Sequence, residues 1–152
     1  MPAIVSSAVE VFVFKETIDG RKYLVLKRSD KVVYSGIWSV CAGSIERGER
    51  SHETAVRELL EETGLKPSKL YIVDCVNSFY DYEGDKIFIL PLFVAQINSG
   101  EVVLNDEHTD SLWLDADNAR KQLHWVSHKR NIDLIEKCFI EEEYYRTLKQ
   151  II

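Results

Sequence analysis

The chain has 152 residues, 45% of them hydrophobic and 29% charged, proportions that exclude a disordered polypeptide and fit one domain (1–152) with a core of its own. Its formal net charge of -6 argues against a sequence-independent nucleic-acid binder, which needs a basic face, so duplex nucleic acid is not an expected partner. No apolar run approaches the roughly 20 residues of a bilayer span, and Cys41, Cys75 and Cys138 are odd in number and far apart, as in a reducing cytoplasm.

Met1 to Phe14 lacks the basic segment and long apolar core of a secretion signal and alternates like a strand. Strands are expected over Ala8–Phe14 and Tyr23–Arg28, joined through Thr17 to Arg21, where Asp19-Gly20 is a hairpin signal. Arg28, closing the second strand, is a candidate phosphate contact because the guanidinium fork suits phosphate oxygens. An apolar run from Trp38 to Ala42 ends at Gly43, and Gly43 and Gly48 permit turns closed to residues with a β-carbon.

A helix follows from Ser51 to Thr63. Ser51 is the expected N-cap, Glu53 favours the first turn, Gly64 makes a natural stop and Pro67 lies just beyond. Ala55, Val56, Leu59 and Leu60 gather on one face of it, and Glu58, Glu61 and Glu62 on another. A second hairpin joins Leu70–Tyr80 to Lys86–Ile97 around Glu83-Gly84-Asp85, and Ser111–Leu114 reads as a short strand. Asp115 or Asp117 caps a short helix toward Leu123. A last helix is expected from Ser127 to Leu148, with Ile132, Ile135, Phe139 and Leu148 on its buried face.

Three carboxylates on one helical stripe repel and raise one another's proton affinity unless a cation sits among them. With oxygen donors only, a hard ion such as Mg2+ or Mn2+ suits the stripe better than zinc. The histidines, His52, His108, His124 and His128, show no metal spacing and read as surface or helix-end residues. Trp38, Phe79, Tyr80, Tyr82 and Trp125 offer faces for a base, with Trp38 and Tyr80 taken as substrate contacts beside Arg28.

Gly43, Glu49, Arg57, Glu58, Leu59, Glu61, Glu62, Gly64 and Leu65 spell G-x5-E-x7-R-E-L-x-E-E-x-G-L, which resembles the signature box of the Nudix hydrolases at every specified position. The resemblance implies an α/β fold, an α/β/α sandwich around a mixed sheet, and attack of water on a phosphoanhydride. It implies that the Gly43 carbonyl with Glu58, Glu61 and Glu62 supplies metal ligands or the base, and that Arg57 with Glu49 holds helix and loop in register. A further carboxylate is expected from the loop Asn105–Asp110: Glu107, as metal ligand or base, ahead of Asp106. Glu107-His108 with Trp113-Leu114-Asp115 resembles a segment of nucleoside triphosphate and dinucleoside polyphosphate hydrolases. Cys41 and Ala42 stand where many members have Pro-Gly, a departure that touches the substrate loop more than the metal residues.

Within the family the chain is loosely similar to the dihydroneopterin triphosphate and dATP pyrophosphohydrolases. The expected substrate is therefore a small nucleotide, a (deoxy)nucleoside triphosphate or analogue cleaved to monophosphate and pyrophosphate, with no membrane partner and a homodimer open as the assembly. A dinucleoside polyphosphate is the alternative substrate, and a non-catalytic nucleotide-sensing module the alternative class.

Overall fold

Residues Val9 to Phe14 are all buried, although only every second side chain of a strand can face one side of a sheet. A strand buried on both faces belongs in the middle of a covered sheet. The computed structural model, which describes residues 1–152, places it there. The elements run β1 (Ala3–Val5), β2 (Ala8–Thr17), β3 (Gly20–Arg28), β4 (Trp38–Ser39), β5 (Cys41–Ser44), α1 (Ser51–Thr63), β6 (Lys69–Asp81), β7 (Lys86–Gln96), β8 (His108–Leu114), α2 (Ala116–Gln122), α3 (Val126–Ile140), α4 (Glu142–Tyr145) and β9 (Lys149–Gln150).

The sheet is mixed. β2 pairs antiparallel with β3 and parallel with β7, and β7 pairs antiparallel with β6. β5 continues along β2, with Gly43 opposite Val9, while β4 and β8 pair with β3. Val9, Val11, Val13, Leu24 and Leu26 pack with Ala55 and Leu59 of α1 on one face. Phe12, Phe14, Tyr23 and Val25 pack with Ala119 of α2 and Ile132, Ile135 and Cys138 of α3 on the other. This is the expected α/β/α sandwich.

Both expected hairpins form, and Asp115 caps α2 by accepting the Asn118 N–H at 2.8 Å. Gly64 closes α1 in the left-handed region at φ 71°, its N–H donating to Leu60 O at 2.8 Å. Several expectations need correction. Arg50, not Ser51, precedes the first turn of α1, and its N–H donates to Glu53 Oε2 at 2.8 Å. Leu60 is 43% exposed, whereas Glu58 and Glu62 are buried.

The closing helix stops at Ile140 rather than reaching Leu148. Glu141 is extended (φ −102°, ψ 123°), α4 adds a single turn, and the chain then returns to lay β9 against β6, with Gln150 opposite Tyr71. Glu141, Glu142 and Glu143 offer no apolar face to continue on, and Leu148 reaches the α3-side core outside any helix. Strand β8 begins three residues before the expected Ser111, which fixes His108 in the sheet.

Leu59 is fully buried and Leu60 is not, so the two neighbours separate packing from propensity. Leu59→Ala is expected to lower unfolding free energy by about 2–5 kcal/mol in urea titration, and Leu60→Ala by no more than about 0.5 kcal/mol.

Candidate functional site

Arg57 organises the start of α1. Its Nε and Nη2 donate to the two oxygens of Glu49 at 2.8 and 3.0 Å, and Nη2 also donates to Ser44 O at 2.9 Å. Nη1 donates to Glu58 Oε1 at 3.0 Å and to Glu61 Oε2 at 3.1 Å. All five guanidinium N–H groups are thus used. Glu49 in turn accepts from the Thr54 hydroxyl at 2.6 Å and the Glu46 N–H at 3.1 Å. These bonds, the one from Arg57 foremost, hold the Glu49 carboxyl down to about 2. The expected pairing of Arg57 with Glu49 therefore forms, and it ties β5, the following loop and the helix together.

Glu58 and Glu62 point inward from the next turns of α1, with relative exposures of 9% and 2%, while Glu61 lies outside, its side chain 52% exposed. Burial raises the proton affinity of Glu58, opposed by the Arg57 guanidinium beside it. Glu62 has no such partner. Burial, and then Glu107 and Glu58, push its carboxyl up to about 9 against an opposing interaction with the Cys41 thiol. Burial and the Glu62 charge in turn push the Cys41 thiol well up. Glu62 Oε2 accepts from the Ala42 N–H at 3.4 Å. A β-carbon at Gly43 would overlap the Glu58 carboxyl group, which is why this position takes no side chain.

The loop before β8 completes the group. Its backbone docks on Ser29, whose N–H donates to Glu107 O at 2.8 Å and whose hydroxyl donates to Asp106 O at 2.6 Å. Ligand atoms of Glu62, Glu107 and His108 all lie within 4.8 Å of one another. Asp106 is instead drawn to Lys31 at 3.3 Å on the surface. The reading of His108 as a surface or helix-end residue is corrected. It is 5% exposed, and burial, then the Arg28 charge, lower its proton affinity against the opposing Glu107. Spacing along the chain could not reveal this, because β8 brings His108 to α1 across the fold.

The donor set fits a divalent cation. Glu58 and Glu62 are buried, Glu107 lies close enough to raise the proton affinity of both, every N–H of Arg57 is already bonded, and both nitrogens of His108 are buried without a partner. Such groups are stable together when a cation binds among them.

The expected substrate contacts are more dispersed. Arg28 Nε donates to Val33 O at 2.7 Å, at the end of β3 next to His108 in register. Trp38 is half-buried against the α3-side core, and Trp125, 36% exposed, meets Tyr34 edge-on at 5.1 Å between ring centres. Tyr80 is not brought to the carboxylates by any bond: its hydroxyl donates to Asp85 at 2.9 Å within its own hairpin.

A polar cluster lies on the opposite face of the sheet. Asn77 Nδ2 donates to Glu10 Oε1 at 2.8 Å, and His128 Nε2 stands 3.4 Å from Glu10 Oε2, with all three residues buried. Helix-end placement suits His128, the third residue of α3, but surface exposure does not. Glu10 gave the one signal, a charge inside the otherwise apolar run from Ala8 to Phe14.

The family model described as NUDIX domain matches residues 6–135. The mouse protein named bis(5'-nucleosyl)-tetraphosphatase [asymmetrical] is 31% identical over 101 residues, covering 64% of this chain and 67% of that one. Nucleoside triphosphatase NudI of Salmonella arizonae is 28% identical over 104 residues, covering 60% and 72%. The crystal structure of a NUDIX hydrolase from Listeria monocytogenes superposes with a TM-score of 0.76 at 25% identity, over 94% of this chain and 97% of that one.

Glu62 has a folded pKa of about 9 against an ordinary 4.5, so its contribution to stability is whole below 4.5 and lost as pH rises toward 9. Thermal melting of the protein in EDTA is expected to show falling stability across that window, and Glu62→Gln to flatten the fall. Gly43→Ala displaces the Glu58 carboxyl and is expected to weaken Mn2+ binding on the order of tenfold or more by calorimetry.

Proposed function

This chain belongs to the Nudix hydrolase family and is a pyrophosphohydrolase; from that premise and the carboxylates around Arg57 we propose that it hydrolyses a (deoxy)nucleoside triphosphate or analogue to the monophosphate and pyrophosphate. The observation that carries the reading is the pair of buried acids, Glu58 and Glu62, converging with Glu107, with Glu58 paired to Arg57 and Glu62 in no salt bridge. Glu58, Glu61, Glu62 and Glu107, with the Gly43 carbonyl, would hold Mg2+ or Mn2+. When bound, such an ion neutralises the diphosphate and acts as a Lewis acid toward phosphorus.

The chain's own groups do the rest. Glu58 or Glu107 accepts the proton of the attacking water; these acids titrate as one coupled set, so the base belongs to the set. Arg57 and Glu49 fix the turn of α1 that presents Glu58 and Glu61. Arg28 is assigned to a substrate phosphate and Trp38 to the base, with Tyr80 a peripheral contact because its hydroxyl is engaged by Asp85. Residues 1–152 are read as one such domain, working in the cytoplasm.

A second reading has its own support: the mouse relative is named for asymmetrical cleavage of a bis(5'-nucleosyl) tetraphosphate. Chromatography of products from a panel of nucleoside triphosphates, dinucleoside polyphosphates and nucleotide sugars with Mg2+ or Mn2+ decides between them. Pyrophosphate and monophosphate from a triphosphate are expected; turnover confined to dinucleoside polyphosphates would favour the second reading. Glu61→Gln is expected to lower kcat/KM about tenfold or more at limiting metal while leaving the melting temperature unchanged. Wild-type turnover at limiting metal would refute its role.

A further inference from the structure

His108 is buried at the start of β8, and neither Nδ1 nor Nε2 has a hydrogen-bond partner. Buried polar atoms are almost always paired, so an imidazole with both nitrogens unpaired calls for an explanation. The register of β8 on β3, where His108 stands opposite Arg28, limits where the ring can go. Its ligand atom lies within 4.8 Å of carboxylate oxygens of Glu62 and Glu107, yet no hydrogen bond joins it to either. A small contraction of the three groups around one ion would satisfy two carboxylates and an imidazole lone pair together.

Resting on the metal-dependent reading above, we propose that His108 is a nitrogen ligand to the divalent cation held by Glu62 and Glu107, giving the centre a mixed nitrogen and oxygen donor set. Such a set has a consequence that four carboxylates alone would not have. Imidazole nitrogen suits first-row transition ions, Zn2+, Cu2+, Fe2+ and Ni2+ most of all, and Mn2+ opens that series, whereas Mg2+ lies outside it, takes oxygen ligands and keeps its waters. The site thereby discriminates among cations, preferring Mn2+ to Mg2+. The fold supplies this ligand, beside its neighbour Glu107, from outside α1, which carries Glu58, Glu61 and Glu62.

Electron spin-echo modulation of the wild-type protein loaded with Mn2+, without nucleotide, tests the ligand directly. Modulation from directly bound 14N is expected, and it should vanish when the protein is produced with 15N-labelled histidine. Absence of nitrogen modulation, or 14N modulation that survives the labelling, would overturn the proposal. These spectra need no variant, so a folding defect cannot obscure them. Calorimetry of His108→Gln, with melting in EDTA as the control for folding, should show Mn2+ affinity lowered on the order of tenfold or more and Mg2+ affinity little changed. Equal loss for both ions would overturn the discrimination. Nitrogen coupling in a protein that hydrolyses no nucleotide would sink the substrate reading alone, and hydrolysis without nitrogen coupling would sink the role of His108 alone.

Discussion

The site is held by one guanidinium whose five donors all converge on acceptors from β5, the loop after it and α1. Bidentate pairing with Glu49 sets the plane of Arg57, and a fixed plane then sets the directions in which Glu58 and Glu61 are gripped. Exposed ion pairs contribute little stability. The importance of this one is geometric: it ties α1 to β5 in the same phase that buries Ala55, Leu59, Glu58 and Glu62 and leaves Leu60 outside.

That phase has a cost borne at the protein's interior. Two acids are taken out of water beside the most buried part of the sheet, and the fold answers with different devices. Glu58 keeps a contact to Arg57, Glu62 retains its proton to an unusually high pH, and Gly43 omits a side chain so that the Glu58 carboxyl has room. The strain is local to a region that is otherwise densely apolar, with Val9, Val11, Cys41 and Leu59 packed immediately around it. Concentrating unfavourable charge where packing is strongest is how a functional site is tolerated in a marginally stable fold.

How much could be read from residue order differs element by element, for physical reasons. The helix from Ser51 to Thr63 and both hairpins are local, set by turn residues and short-range periodicity, and they form as expected. The contacts among Arg57, Glu49 and Glu61 are likewise local in sequence. Leu60 was not legible as exposed, because apolar identity does not fix helical phase when two acids must also be buried. After α3 ends at Ile140 the chain returns to pair β9 with the edge of β6, between residues about half the chain apart, which no local pattern announces. His108 and the Glu10–Asn77–His128 cluster are products of tertiary placement too, each assembled from different elements.

The β9 segment closes the sheet at a vulnerable margin. Ile151 N–H donates to Leu70 O at 2.8 Å, the Leu70 N–H donates to Ile152 O at 3.1 Å, and Gln150 and Lys149 lie opposite Tyr71 and Ile72. Left open, this stretch of β6 backbone would be a template on which an extended segment of another molecule could polymerise. The chain's own tail fills the vacancy first, and the lysine it contributes is a charge that discourages any strand from stacking on beyond it.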